Sequence, residues 1–216
     1  MRIGALVIGQ TPRPDLETVL GVPADFVRGA LDLPGALPVP PPGDEPVFPL
    51  RTRLSDGRIV VVDEPHLSPR LQQHIDDLER EGASVIALLC AGPFRSLRSS
   101  VPLLHPFRLA VAALENMGLH RLLVLVPIEA QRQPAEVKWR GAGFAVDVWV
   151  FPPQVEDLAE FIQRHAGLAQ AVVFDYVGMP ETALDAVRKS IAVPVIDLGH
   201  LMAGVLRSLT DPPEAP

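Results

Sequence analysis

The chain has 216 residues, 48% of them hydrophobic and 21% charged, with a formal net charge of −7 at pH 7. That length allows one large domain or two small ones with a real core. The acidic balance argues against nucleic acid or an anionic membrane as the main partner, because both demand basic surface. No apolar run approaches the ~20 residues of a membrane span, and a single cysteine excludes an internal disulfide and suits a reducing, cytoplasmic location.

Residues 3–8 form a continuous apolar run, as expected of a parallel strand covered on both faces. With Arg2 before it, the run has the look of a signal peptide. It ends, however, in Gln10-Thr11-Pro12-Arg13-Pro14-Asp15 rather than in a small-residue cleavage site, so a first strand is the better reading. Thr11 and Asp15 are helix N-cap candidates with prolines nearby. Short helices are expected over residues 15–20 and 23–31. Residues 34–49 hold seven prolines in sixteen positions and read as an extended surface excursion. Residues 50–63 read as a hairpin turning at Asp56-Gly57. Ser68-Pro69 opens a helix to Glu81, with Leu71, Ile75 and Leu78 at helical spacing and Gly82 after it.

Residues 85–90 are the next apolar strand, ending at the only cysteine, Cys90, with Ala91-Gly92-Pro93-Phe94 as the turn. A helix over 104–117 follows. The pattern then repeats: strands over 121–126, 144–150, 171–175 and 193–196, and helices over 129–140, 155–165, 181–191 and 197–209. The tail 211–216 reads as frayed. Alternating strands and helices mean a parallel sheet. Repeating the pattern on either side of residue 105 suggests two similar α/β halves, 1–105 and 106–196, with the final helix over 197–209 returning to the first half.

In such sheets ligands sit outside the carboxyl ends of the strands. Four apolar strands here end in chemically suggestive residues: Gln10, Thr11 and Arg13; Cys90, Ala91 and Gly92; Glu129 and Gln131; Asp175, Tyr176 and Gly178. If the halves face each other, these loops share a cleft. Each residue also has a plain structural reading. Cys90 is either inert filler or a thiol activated by the N–H groups around Gly92. Thr11 is either a cap or a ligand contact, and Asp175 either a turn residue or a wall of the cleft. The six histidines show no metal-ligand spacing, and no metal or cofactor is implied. There is no glycine-rich phosphate loop and no Gly-x-Ser-x-Gly elbow.

The stretches Ile8-Gly9-Gln10-Thr11-Pro12-Arg13-Pro14-Asp15, Thr52-Arg53-Leu54-Ser55-Asp56-Gly57, Leu88-Leu89-Cys90-Ala91-Gly92-Pro93-Phe94, Val126-Pro127-Ile128-Glu129-Ala130-Gln131 and Asp175-Tyr176-Val177-Gly178 resemble, in that order, the AroM family. AroM proteins in turn resemble the aspartate/glutamate racemase superfamily. The resemblance implies two α/β halves related by a pseudo-twofold, with a small carboxylate held between them. It also implies a cysteine from each half, one removing the α-proton and the other returning a proton. Cys90 matches the first cysteine. The second falls at residue 176, where this sequence has tyrosine.

A single cysteine still suits proton delivery to one face, as in decarboxylation of an activated malonate, or nucleophilic isomerisation. The leading expectation is therefore a cofactor-independent enzyme with Cys90 and Tyr176 as catalytic residues. Gln10, Thr11, Arg13, Ala91, Gly92, Glu129, Gln131, Asp175 and Gly178 are its carboxylate-binding set. The alternatives are a non-catalytic small-carboxylate binder that lost turnover with the second cysteine, and a structural role in which Cys90 is filler. A homodimer is left open.

Overall fold

The computed structural model describes residues 1–37, 39, 47–152 and 154–210. Much of the proline-rich excursion 34–49 and the tail 211–216, read as frayed, lie outside the described residues.

Two four-stranded parallel sheets and one hairpin make up the β-structure of the described residues. The first sheet comprises β1 (Ile3–Val7), β2 (Phe26–Gly29), β5 (Val85–Leu88) and β6 (Leu103–Leu104), in spatial order β2-β1-β5-β6. The second comprises β7 (Arg121–Val126), β8 (Ala145–Val150), β9 (Ala171–Phe174) and β10 (Val195–Asp197), in spatial order β10-β9-β7-β8. Numbered within each half, both read 2-1-3-4, so the duplicated grammar of the sequence is a duplicated topology. In each sheet successive strands are added outward in one direction from the first strand and in the opposite direction from the third. That switch point lies at β1/β5 in one half and at β7/β9 in the other, and it is where such sheets open a crevice at their carboxyl ends.

The helices are α1 (Pro14–Leu20), α2 (Glu64–Arg80), α3 (Pro106–Asn116), α4 (Arg132–Arg140), α5 (Leu158–His165), α6 (Glu181–Ser190) and α7 (Leu198–Thr210). The central strands are buried along their whole length because both faces are covered. Alternation along β1 sends Leu6 into a cluster with Leu71, Ile75 and Leu78 of α2, while Ala5 and Val7 face Leu16, Leu20, Met202 and Leu206 of α1 and α7. In the second sheet Leu122, Val124 and Val126 pack with Phe107, Leu114 and Trp139, while Leu123 and Leu125 face Ile162, Leu184 and Val187. α7 starts with Leu198 in the second half's core and ends with Leu206 in the first half's.

Several expected elements differ. The helix expected over 23–31 is the edge strand β2, pairing Val27 with Ala5 and Arg28 with Leu6. The Asp25 carboxylate accepts from the Ile3 N–H at 2.6 Å, and pairing with an otherwise bare β1 edge outweighs local helical preference. α2 begins a turn earlier than Ser68, capped by Asp63, and runs on through Pro69. The short strand β6 precedes α3, so Leu104 pairs with Ala87 in the sheet and lies before the helix. Residues 129–131 and 155–157 are 3-10 turns ahead of α4 and α5. The hairpin is β3 (Pro49–Arg53) with β4 (Ile59–Asp63).

A charged clasp ties α6 and α7 together. His200 Nδ1 lies 2.8 Å from Asp197 Oδ1, and its Nε2 pairs with the Glu181 carboxylate. The hydrogen bond to Asp197 and the neighbouring carboxylates raise the His200 pKa above its usual value. A raised folded pKa gives stability that is fully present below the unfolded value near 6.5 and is lost as pH rises through the folded pKa. Urea unfolding of His200→Gln against the parent is therefore expected to show a deficit at about pH 6 that shrinks toward about pH 9. A deficit independent of pH would rule out the charged clasp.

Candidate functional site

The loops after β1, β5, β7 and β9 meet in one cavity of about 80 Å³ at the two switch points. Its wall includes Arg13 from the first loop, Leu89, Cys90 and Ala91 from the second, Gln131 beyond the third, and Asp175 and Tyr176 from the fourth. β3 closes the remaining side with Leu50, Arg51, Thr52 and Arg53. Of the residues singled out in the sequence, Arg13, Cys90, Ala91, Gln131, Asp175 and Tyr176 are brought together here.

Gln10, Thr11, Gly92, Glu129 and Gly178 are not on this wall. Gln10 Nε2 donates to Leu31 O at 3.2 Å, and its Oε1 accepts from the Ser55 N–H at 3.0 Å, so its amide locks the hairpin turn to the end of β1. The Thr11 hydroxyl donates to Asp32 at 2.7 Å and does not cap α1, whose N-cap is Arg13. Glu129 is exposed, pairs with Arg132 at 3.0 Å and faces a separate outer groove. The Gly92 N–H donates to Cys90 Sγ at 3.4 Å. Gly178 has φ +113°, a conformation that L side chains rarely adopt, and turns the chain immediately after Tyr176.

Cys90 is the chain's one thiol, and it is buried. Burial pushes its pKa up to about 12 against the opposing pull of the Gly92 N–H and the Lys138 ammonium. A pKa so raised leaves it a thiol rather than a thiolate near neutral pH. Arg13 is 7% exposed, and its Nε and one terminal nitrogen bond the Asp15 carboxylate at 2.9 and 2.8 Å. Arg53 adds a bond to Asp15 at 2.9 Å. These hydrogen bonds, Arg13's first, hold the Asp15 carboxyl below the usual range. The pairing fixes the guanidinium through Nε and one terminal nitrogen and leaves the other terminal nitrogen outside it. Together Arg13, Arg51 and Arg53 outnumber Asp15, making a local cationic rim on an acidic chain.

Two residues, one on the wall and one behind it, are given no site role by the sequence reading. Thr52 is 5% exposed, and its Oγ1 has no hydrogen-bond partner among the described residues. A Cβ on Gly9 would lie 2.5 Å from that oxygen and 2.3 Å from Arg53 O, so only glycine fits between β1 and the hairpin. The second is Lys138, on α4. Its Nζ donates to Asp175 Oδ1 at 2.6 Å and to Ala91 O at 2.9 Å, while Trp139 Nε1 donates to Asp175 Oδ2 at 2.9 Å. Ala135, Lys138 and Trp139 share the buried face of α4 at helical spacing, a signal that could have found the lysine. Among the described residues no group of three or more His, Cys, Asp or Glu side chains is placed to hold a metal ion.

Two α/β halves of the same topology, with their switch-point loops converging on one cavity, define an aspartate/glutamate racemase-like fold. The fold matches a crystal structure of arylmalonate decarboxylase at 13% identity and TM-score 0.68, covering 98% of this chain and 93% of that one. It matches maleate isomerase Iso from Pseudomonas putida S16 at 13% identity and TM-score 0.67, covering 99% and 94%. Aspartate racemase from Picrophilus torridus matches at 14% identity and TM-score 0.59, covering 97% and 94%. No curated protein matches the chain in sequence. The family model described as AroM protein matches residues 3–210, and the chain belongs to the AroM family.

Proposed function

We propose that the chain is an enzyme acting on a small carboxylate, with Cys90 delivering a proton to the carbon next to the carboxyl group. The observation that carries this reading is the shared wall of one small cavity: a protonated thiol, a fixed guanidinium and a tyrosine. Arg13 would hold the carboxylate, with Thr52 Oγ1 as a further contact. When the bond from the α-carbon to a leaving carboxyl group breaks, carbon dioxide departs and the electron pair of that bond spreads into the held carboxylate as an enediolate. The Cys90 S–H bond then gives its proton to the α-carbon, and the thiolate takes a proton back from water. The Gly92 N–H, 3.4 Å from Sγ, would stabilise that thiolate. Tyr176 closes the site opposite.

The kinship of the fold to a decarboxylase, an isomerase and a racemase supports proton chemistry at an activated carbon. The substrate itself is a separate question. The test is incubation in D₂O with a panel of malonates and of amino, hydroxy and dicarboxylic acids, followed by NMR. The parent is expected to label or decarboxylate at least one, and Cys90→Ala to slow that by about 10²-fold or more. No turnover by the parent, or equal turnover by the variant, sinks the proposal. A second reading, a carboxylate-binding protein without turnover, is favoured by the unactivated state of the thiol. It predicts a ligand that raises the melting temperature of parent and Cys90→Ser alike without being converted.

A further inference from the structure

Buried beside the thiol is a pair of charges that the proposed chemistry does not yet use. The side chains of Lys138 and Asp175 are each 2% exposed, and their charged atoms are 2.6 Å apart. Such a pair is seldom a gain in stability over apolar residues of similar volume, because both ions lose their water. Its position is specific. Asp175 stands at the carboxyl end of β9, in the loop that begins there and lines the cavity. Ala91, whose carbonyl takes the second Lys138 bond, directly follows Cys90 in the equivalent loop after β5. Lys138 therefore bolts one switch-point loop to the other across the two halves. The rings of Phe107 and Phe48 lie 4.6 and 5.2 Å from its Nζ and keep water away.

We propose that Lys138 is the positioning residue of the Cys90 centre: fixed between the Asp175 carboxylate and the Ala91 carbonyl, it orients the turn that carries the thiol and supplies the counter-charge to the thiolate formed when Cys90 gives up its proton. The charged groups acting on Cys90 are Lys138 from α4, Asp175 from the end of β9 and Glu64 from the start of α2. Lys138 favours the thiolate and the two carboxylates oppose it, with the lysine the strongest of the three. Its catalytic meaning rests on the proton-delivery reading above, whereas its effect on the thiol can be measured without a substrate.

The test is alkylation of Cys90 by the neutral reagent iodoacetamide from about pH 7 to about pH 10, where the rate follows the thiolate population. The parent is compared with Lys138→Met and with Lys138→Met/Asp175→Asn, which removes both charges and keeps an acceptor for Trp139. The expected result at about pH 9 is a rate lower by about tenfold in the single variant and about threefold in the double. An equal or faster rate in a variant that still unfolds cooperatively overturns the proposal, since a lysine that only braced the loop would, on removal, loosen it and speed the reagent's access. If the single variant does not fold, the double variant decides. Because no substrate is used, failure here leaves the D₂O result standing, and failure there leaves this one standing.

Discussion

Asp175→Ala is expected to lower stability by about 3–5 kcal/mol, the cost of leaving one member of a buried ion pair behind. The side chain accepts from Lys138 Nζ at 2.6 Å and from Trp139 Nε1 at 2.9 Å. Its loss strands an ammonium and an indole N–H in the core between the halves. The penalty has a pH signature. Burial already pulls the Lys138 pKa down against the upward pull of Asp175, and without that carboxylate it falls further. The unfolded chain then binds a proton that the folded chain does not, so the variant's stability rises with pH by about 1.4 kcal/mol per unit between the two pKa values. Urea unfolding at about pH 7 and about pH 9 should show the deficit narrowing. Asp175→Asn, which keeps the acceptor for Trp139, should sit between parent and alanine variant. Parent-like stability in Asp175→Ala would mean that the pair does not hold the halves together.

Arg13→Met is expected to weaken capture of a carboxylate by roughly 10- to 100-fold, equivalent to the 1.5–3 kcal/mol of a charge-assisted hydrogen bond. Two alkylating reagents of similar size read this directly at Cys90. Iodoacetate carries a carboxylate that Arg13 can seat in the cavity, and iodoacetamide does not. The parent should prefer the anion, and Arg13→Met should lose most of that preference while its rate with iodoacetamide stays near the parent's. If both rates fall in proportion, the guanidinium shapes the loop instead of holding the ligand. Arg51 and Arg53 lie along the same wall, so residual anion preference in the variant would be theirs.

How much of this was legible depends on what each residue's own neighbours in sequence disclose. The central strands announce themselves as unbroken apolar runs, and the turn residues after them mark where the sheet's carboxyl ends lie. Arg13, Cys90, Gln131, Asp175 and Tyr176 could therefore be assigned to one cleft before any coordinates. Gln10 and Thr11 sit in the same motif as Arg13, yet their side chains are taken up by Ser55 and Asp32, partners that only the fold brings beside them. Glu129 and Gln131 stand two apart in a 3-10 turn, whose three residues per turn point them in different directions. Lys138 was missed because a lysine on an amphipathic helix ordinarily belongs to its wet face. Only the docking of α4 beneath the loops after β5 and β9 makes it a core residue. The edge strand β2 was misread for a related reason, since its conformation is set by the bare side of β1 and not by its own composition.

The path of α7 bears on how the chain comes off the ribosome. Domains generally form in the order in which they are synthesised. Here Met202 and Leu206 complete the cluster around Ile3, Ala5, Leu16 and Val85, so the half made first lacks part of its interior until α7 has emerged. The later half also takes Leu198, from the start of the same helix, into its core, so both halves are completed by α7. The N-terminal sheet therefore keeps an uncovered apolar face from its own emergence until that of α7.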